Sequence, residues 1–204
     1  MTIPLIDHIR RCNEWRPDAF EPVFLGERRI GRLMRHRAEA LIADARAFVG
    51  RPAGGVAIRP DLVDDPVALD EAVDAALTPF EGEIGAAPRT EERLDTPPRF
   101  GAPTLLRIRR NHAPILGTPV AGVHANGFVR RADGGIDLWV ATRAKKERTF
   151  PGMLDHLVAG AVGAGDTPGM TMIREAEEEA GAPEALARRA YPTGIVSYTI
   201  ELQG

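Results

Sequence analysis

The sequence predicts an α+β fold in two parts, a small α+β unit over residues 1–117 and a second unit over residues 118–204. Three observations predict it. Apolar residues recur at helical spacing in the first half, and Ala132-Asp133-Gly134-Gly135 sits between two strand-like runs in the second. Between them runs Gly82 to Pro103, polar and interrupted by Pro88, Pro97 and Pro98, which suits a linker or equally a surface loop.

Each element has a local reason. Leu5, Ile9 and Cys12 make one stripe of a short helix, and Cys12 is expected to be buried there. Phe20 to Leu33 carries two apolar stretches around Gly26-Glu27, the pattern of a hairpin. Ala38, Leu41, Ile42, Ala45 and Phe48 share a helical face, so a helix is expected from Arg35 to Val49, ending before Gly50. Val56 to Ile58 is a short strand. Asp64 or Asp65 then caps a helix through Leu77, with Pro66 in its first turn. Beyond the proline-rich stretch, Thr104 to Ile108 reads as a strand, and Val120–Val129 with Ile136–Ala141 as a hairpin. Leu157-Val158-Ala159 is a short apolar stretch. A helix follows from Pro168 to Ala180, stopped by Gly181 with Pro183 beyond, and Ile195-Val196 and Tyr198-Thr199-Ile200 have strand character.

Composition narrows the function classes. The 44% apolar content is enough for a sizeable core. A net charge of −3 argues against binding a nucleic-acid polymer, which normally takes a positive excess. No apolar run approaches the roughly 20 residues of a membrane span, so no membrane contact is expected. The single cysteine excludes an internal disulfide framework and fits a reducing cytoplasm. The five histidines lack metal-site spacing; His156 is read as structural or supporting. The basic run Arg28 to Arg37 is read as a solvated face, and Trp15 and Trp139 as packing residues.

The informative segment is the last helix. With Glu175 at 0° and about 100° per residue, Glu178 falls near 300° and Glu179 near 40°, so three carboxylates share a face. Ile173, Ala176 and Ala180 form the opposite, apolar face, and Glu177 lies at its edge without an evident role. Such a helix is poorly designed as structure alone. Like charges at this spacing cost a few tenths of a kcal/mol per pair, and anions in the last turn oppose the helix dipole at about 0.3–1 kcal/mol each. A hard cation reverses both signs.

Gly160, Asp166, Arg174, Glu175, Glu178, Glu179 and Gly181 stand at the offsets of the box G-x5-E-x7-R-E-U-x-E-E-x-G-U, U being apolar. In this the sequence resembles the Nudix family, with six of the seven specified positions identical and Asp166 in place of the loop Glu, one methylene shorter. The lead-in Arg143, Lys146, Pro151-Gly152, Leu154-Asp155 and Ala159-Gly160 extends the resemblance over about Gly122 to Gly204. It implies an α/β/α sandwich with a mixed sheet, and a diphosphate hydrolase that uses Mg²⁺, or Mn²⁺ in its place. Glu175, Glu178 and Glu179 would hold the metal with the carbonyl of Ala159. Glu175, Glu178 and Arg174 would be the catalytic set, Arg174 by pairing with a neighbouring carboxylate and fixing its rotamer. Gly160 and Gly181 would serve loop closure and the helix C-cap. Lys145, Lys146, Arg148 and Asp166 are candidate substrate contacts.

The partner implied is a small-molecule diphosphate, of nucleoside-diphosphate type or of thiamine-diphosphate type. Phe24, Ile30-Gly31-x-Leu33, Gly122 to Gly127 and Pro151-Gly152-x-Leu154-Asp155 carry a less specific resemblance to Nudix proteins related to thiamine diphosphokinase. A homodimer is compatible with the family. One alternative is a Nudix-fold module that senses a ligand with little turnover, for which Asp166 would be the symptom. Another is an isoprenoid diphosphate isomerase, which is disfavoured because Cys12 lies outside the matched region. The chain stops 22 residues after Ala182, and the expectation is that it is a piece of a longer chain with a further catalytic residue beyond.

Overall fold

The structure, a computed structural model, describes residues 4–83, 90–146 and 150–201. The first part holds α1 (Leu5–Arg11), β1 (Phe20–Leu25), β2 (Arg28–Met34), α2 (Arg35–Asp44), β3 (Phe48–Gly50), β4 (Val56–Ile58) and α3 (Pro66–Leu77). Then come β5 (Arg93–Asp95), β6 (Arg107–Arg109) and α4 (Ala113–Leu116). The remainder is β7 (Gly122–Ala125), β8 (Phe128–Arg130), β9 (Ile136–Leu138), β10 (Ala141–Thr142), β11 (Leu154–Asp155), β12 (Val158–Ala161), α5 (Pro168–Ala180) and α6 (Glu184–Ala187). The class is α+β. The chain divides into two compact units, one of residues 1–90, 96–119 and 193–204, the other of residues 91–95 and 120–192.

The first unit is built on a mixed four-stranded sheet in the order β2-β1-β4-β3. The expected hairpin forms β1 and β2, antiparallel with Leu25 opposite Arg28, and β1 runs parallel to β4. Val23, Ile30, Leu33, Leu41, Phe48 and Ile58 fill the core. The expected helix over Arg35–Val49 is shorter. It ends at Asp44 because Ala45 turns left-handed at φ 56°, which frees Phe48–Gly50 to pair with β4 and puts Phe48 opposite Ile58. Burying Phe48 in a sheet outweighs a weak helix preference at the end of that segment. Asp65 caps α3, accepting from the N–H groups of Val67 and Ala68. Below α3, the buried ring of His112 lies between Asp74 (2.8 Å) and Glu81 (2.7 Å).

Three expectations in this unit change. Cys12 is exposed at the end of α1, where Ile6 and Ile9 are exposed as well, so the expected burial of Cys12 does not occur. The strand expected over Thr104–Ile108 starts at Arg107. Residues 190–201 form no strand. The N–H of Thr199 goes to Asn13 Oδ1, Glu201 pairs with Arg16, and Ile195 and Val196 stay exposed.

In the second unit β7 and β12 pair antiparallel with Gly160 opposite Val123, and β8 and β9 form the hairpin expected around Asp133-Gly134. The long strand expected over Val120–Val129 breaks at Asn126-Gly127. There Gly127 accepts from the N–H of Trp139, and a Cβ on it would overlap Leu157 Cδ2. Trp139 is exposed rather than packed. Val158, Ala176 and Ala187 make the small core, flanked by Met172, Ile173 and Ala182. The stretch Gly82–Pro103 is more than a linker. Its Leu94 is buried and bridges to Gly163 within this second unit, while 84–89 lie outside the described residues.

Candidate active site

Helix α5 starts where the sequence says it should. Thr167 is extended and accepts from the N–H of Met170, Pro168 fills the first turn, and Gly181 closes the other end at φ 59°. Ala176 and Thr171 face inward, leaving Glu177, Glu178 and Glu179 exposed and Glu175 half-buried.

Two of the helix carboxylates, Glu175 and Glu179, lie along β12. A Cβ on Gly160 would overlap Glu175 Cγ, Cδ and Oε1, so only glycine lets Glu175 lie across the strand. The Val158 side chain and the side-chain face of Gly160 therefore point toward α5. Val162 donates to Ala121 in the same ladder, so the hydrogen-bonded pairs fall on the even-numbered residues, and the N–H and C=O of Ala159 turn away from β7. Glu179 takes that N–H at 2.8 Å. Arg174 donates to Asp166 at 2.6 Å and stands 3.7 Å from Glu175 Oε1. The hydrogen bond to Asp166 raises the pKa of this guanidinium above its ordinary value against some desolvation, with smaller contributions from Glu175 and Glu178.

The donor chemistry of this edge suits a hard divalent cation: Glu175 and Glu179 lie beside the outward carbonyl of Ala159, and Glu175 has room there only because residue 160 lacks a Cβ. Among the described residues no group of three His, Cys, Asp or Glu side chains is drawn together as placed. Glu179 instead holds the strand edge, and Glu178 extends into solvent.

Residues 121–197 match the family model of the NUDIX domain. The chain is 34% identical to Nudix hydrolase 20, chloroplastic, of Arabidopsis thaliana over 204 aligned positions, covering 94% of this chain and 54% of that protein. It is 33% identical to Nudix hydrolase 24, chloroplastic, of the same plant, covering 95% of this chain and 53% of that one. The chain belongs to the Nudix hydrolase family. It spans about half the length of these curated relatives.

Within the Nudix box, the structure brings together Ala159, Gly160, Asp166, Arg174, Glu175 and Glu179. Arg174 pairs with a carboxylate as expected, and the partner is Asp166, so the shorter side chain still reaches across the loop. Gly160 serves the close approach of Glu175 more than loop closure. Lys145 and Lys146 are exposed in the turn after β10, and no hydrogen bond or ion pair among the described residues joins them to the box. Arg148 lies outside the described residues. Within the lead-in, Arg143 grips Asp155 at 2.8 Å and holds that carboxyl below its usual range.

Two features had no signal in the sequence. His124, opposite Ala159 in the ladder, stacks against His156 with Nδ1 atoms 3.3 Å apart. Partial burial lowers the His124 pKa, helped by the neighbouring ring and opposed by Asp155. The other is Asp95, which touches the box loop from β5. His124 lies inside the Gly122–Gly127 segment, where nothing gives it a role, Asp95 lies in no motif, and the fold supplies the contacts of both.

Proposed function

We propose that this Nudix-family protein hydrolyses a diphosphate linkage in a small molecule, releasing a monophosphate ester, with Mg²⁺ as cofactor and Mn²⁺ able to replace it. The observation that carries the reading is the placement of Glu175 and Glu179 against consecutive residues of β12, where the glycine of the box makes room for the first and a backbone N–H receives the second. Mg²⁺, when bound, supplies charge neutralisation of the diphosphate oxygens and Lewis acidity toward the attacking water.

The chain's own residues do the rest. Glu175, Glu178 and Glu179 offer the ligand oxygens together with the carbonyl of Ala159. Glu175 also orients the water, with the Arg174 charge 3.7 Å from its carboxylate. Asp166 acts on Arg174 rather than on the substrate. Lys145 and Lys146 contact the phosphates when the substrate is in place.

For the substrate, the candidates are thiamine diphosphate and its oxidised analogues, then nucleoside diphosphate derivatives. We place the protein in the cytoplasm and leave it free of membrane and nucleic-acid partners. The test is release of monophosphate ester, with Mg²⁺, from a panel of thiamine diphosphates, nucleoside diphosphate derivatives and dinucleoside polyphosphates. Turnover of at least one member is expected; a full-length protein that turns over none is not a hydrolase of this kind.

A further inference from the structure

The loop of the Nudix box is held from outside the family-matched region. Residues 121–197 carry the match, yet β5 at Arg93–Asp95 belongs to the same compact unit. Three contacts join it to the loop. Leu94, buried at 3% exposure, bridges to Gly163, the carbonyl of Arg93 accepts from the N–H of Ala164, and Asp95 Oδ2 accepts from the N–H of Gly165 at 2.8 Å. Gly165 itself sits at φ +81°, in the left-handed region that favours glycine. The next residue is Asp166, whose own N–H closes a turn onto Gly163 and whose carboxylate holds Arg174.

The geometry assigns Asp95 as a positioning residue for the Nudix site, acting by fixing the loop that carries Asp166. This deepens the hydrolase reading and rests on it for its kinetic consequence. The chain of contacts has four links. Asp95 fixes Gly165, Gly165 fixes the backbone of Asp166, Asp166 orients Arg174, and Arg174 stands beside Glu175. A carboxylate is well chosen for the first link, because charge-assisted bonds to a backbone N–H are about twice as strong as neutral ones. Loss of the acceptor removes the side-chain tie from β5 to the loop, leaving the Leu94–Gly163 bridge and the Arg93 carbonyl in place, and a supporting shell that slackens is felt at the metal ligands.

The experiment compares wild type, Asp95→Ala and Asp95→Asn in the full chain by amide hydrogen exchange and by Mn²⁺ binding. In Asp95→Ala, exchange over residues 163–166 is expected to rise about tenfold while α3 keeps its protection, and the Mn²⁺ dissociation constant is expected to rise about tenfold. Turnover of the substrate should fall through kcat with KM little changed. Asp95→Asn keeps an oxygen acceptor for Gly165 and is expected to recover most of all three. Unchanged exchange in Asp95→Ala overturns the anchor. Looser exchange with unchanged Mn²⁺ affinity overturns the step from loop to metal site. A wild-type chain that binds no Mn²⁺ and turns over no diphosphate sinks the hydrolase reading instead, and the exchange data still decide the anchor.

Discussion

Glu175 lies where the Cβ of any other residue at 160 would stand, and that mutual exclusion is the tightest constraint in the site. Gly160→Ala is therefore expected to push the flexible Glu175 side chain off the strand, with little change in stability and with a drop of at least about tenfold in kcat. Thermal melts and steady-state kinetics check the two, and wild-type kinetics in this variant would remove Glu175 from the reaction. Arg174 is constrained in the same way by Asp166. Asp166→Asn keeps the size and halves the interaction, so kcat should fall about tenfold, and Asp166→Glu, which restores the family residue, should retain activity. Both residues were legible from offsets alone. That Gly160 makes room for a side chain was not, because close approach between distant residues leaves no trace in local sequence.

Helix α5 shows what periodicity can and cannot say. Its ends were readable, because Pro168 and Gly181 act locally, whereas nothing singled out the cap Thr167. The expected apolar face holds only in part, since Ala176 is buried but Ala180 is exposed and Thr171 is buried instead. The end of α2 was misread because Phe48 is claimed by a strand partner ten residues away, and single-segment spacing does not see the competitor. For the same reason the strand expected over Ile136–Ala141 is divided into β9 and β10, and the partner of β10, the two-residue β11, was missed. On the helix itself, Thr167→Ala should cost about 1 kcal/mol of stability through loss of the cap. Glu178→Gln is expected to act the other way. Removing one anion from the last turn relieves about 0.3–1 kcal/mol of dipole repulsion, so the melting temperature should hold or rise while kcat collapses. Loss of stability with retained activity would contradict the assignment of Glu178.

At the scale of the molecule, the two compact units are interleaved in sequence. Residues 91–95 belong with the Nudix box and residues 193–204 with the first unit, so an alignment-based boundary would divide each of them wrongly. Composition and turn signals indicated that two units exist, and could not indicate which short segments are exchanged. Acid sensitivity also belongs to this scale. Asp155 has its folded pKa depressed by Arg143, so the stability it contributes is present above the ordinary aspartate value near 4 and is lost as pH falls through the lowered folded value. Arg143→Ala should therefore shift the acid-unfolding midpoint of this unit to higher pH, read by circular dichroism.

The central claim is that the α5 carboxylates hold a divalent cation that drives diphosphate hydrolysis. Its most direct test is monophosphate release from thiamine diphosphate and nucleoside diphosphate substrates by wild type and Glu178→Gln, each with Mg²⁺ and with chelator. The expected result is turnover that requires the cation and falls about a hundredfold or more in the variant. Turnover that survives both the chelator and the substitution would contradict it.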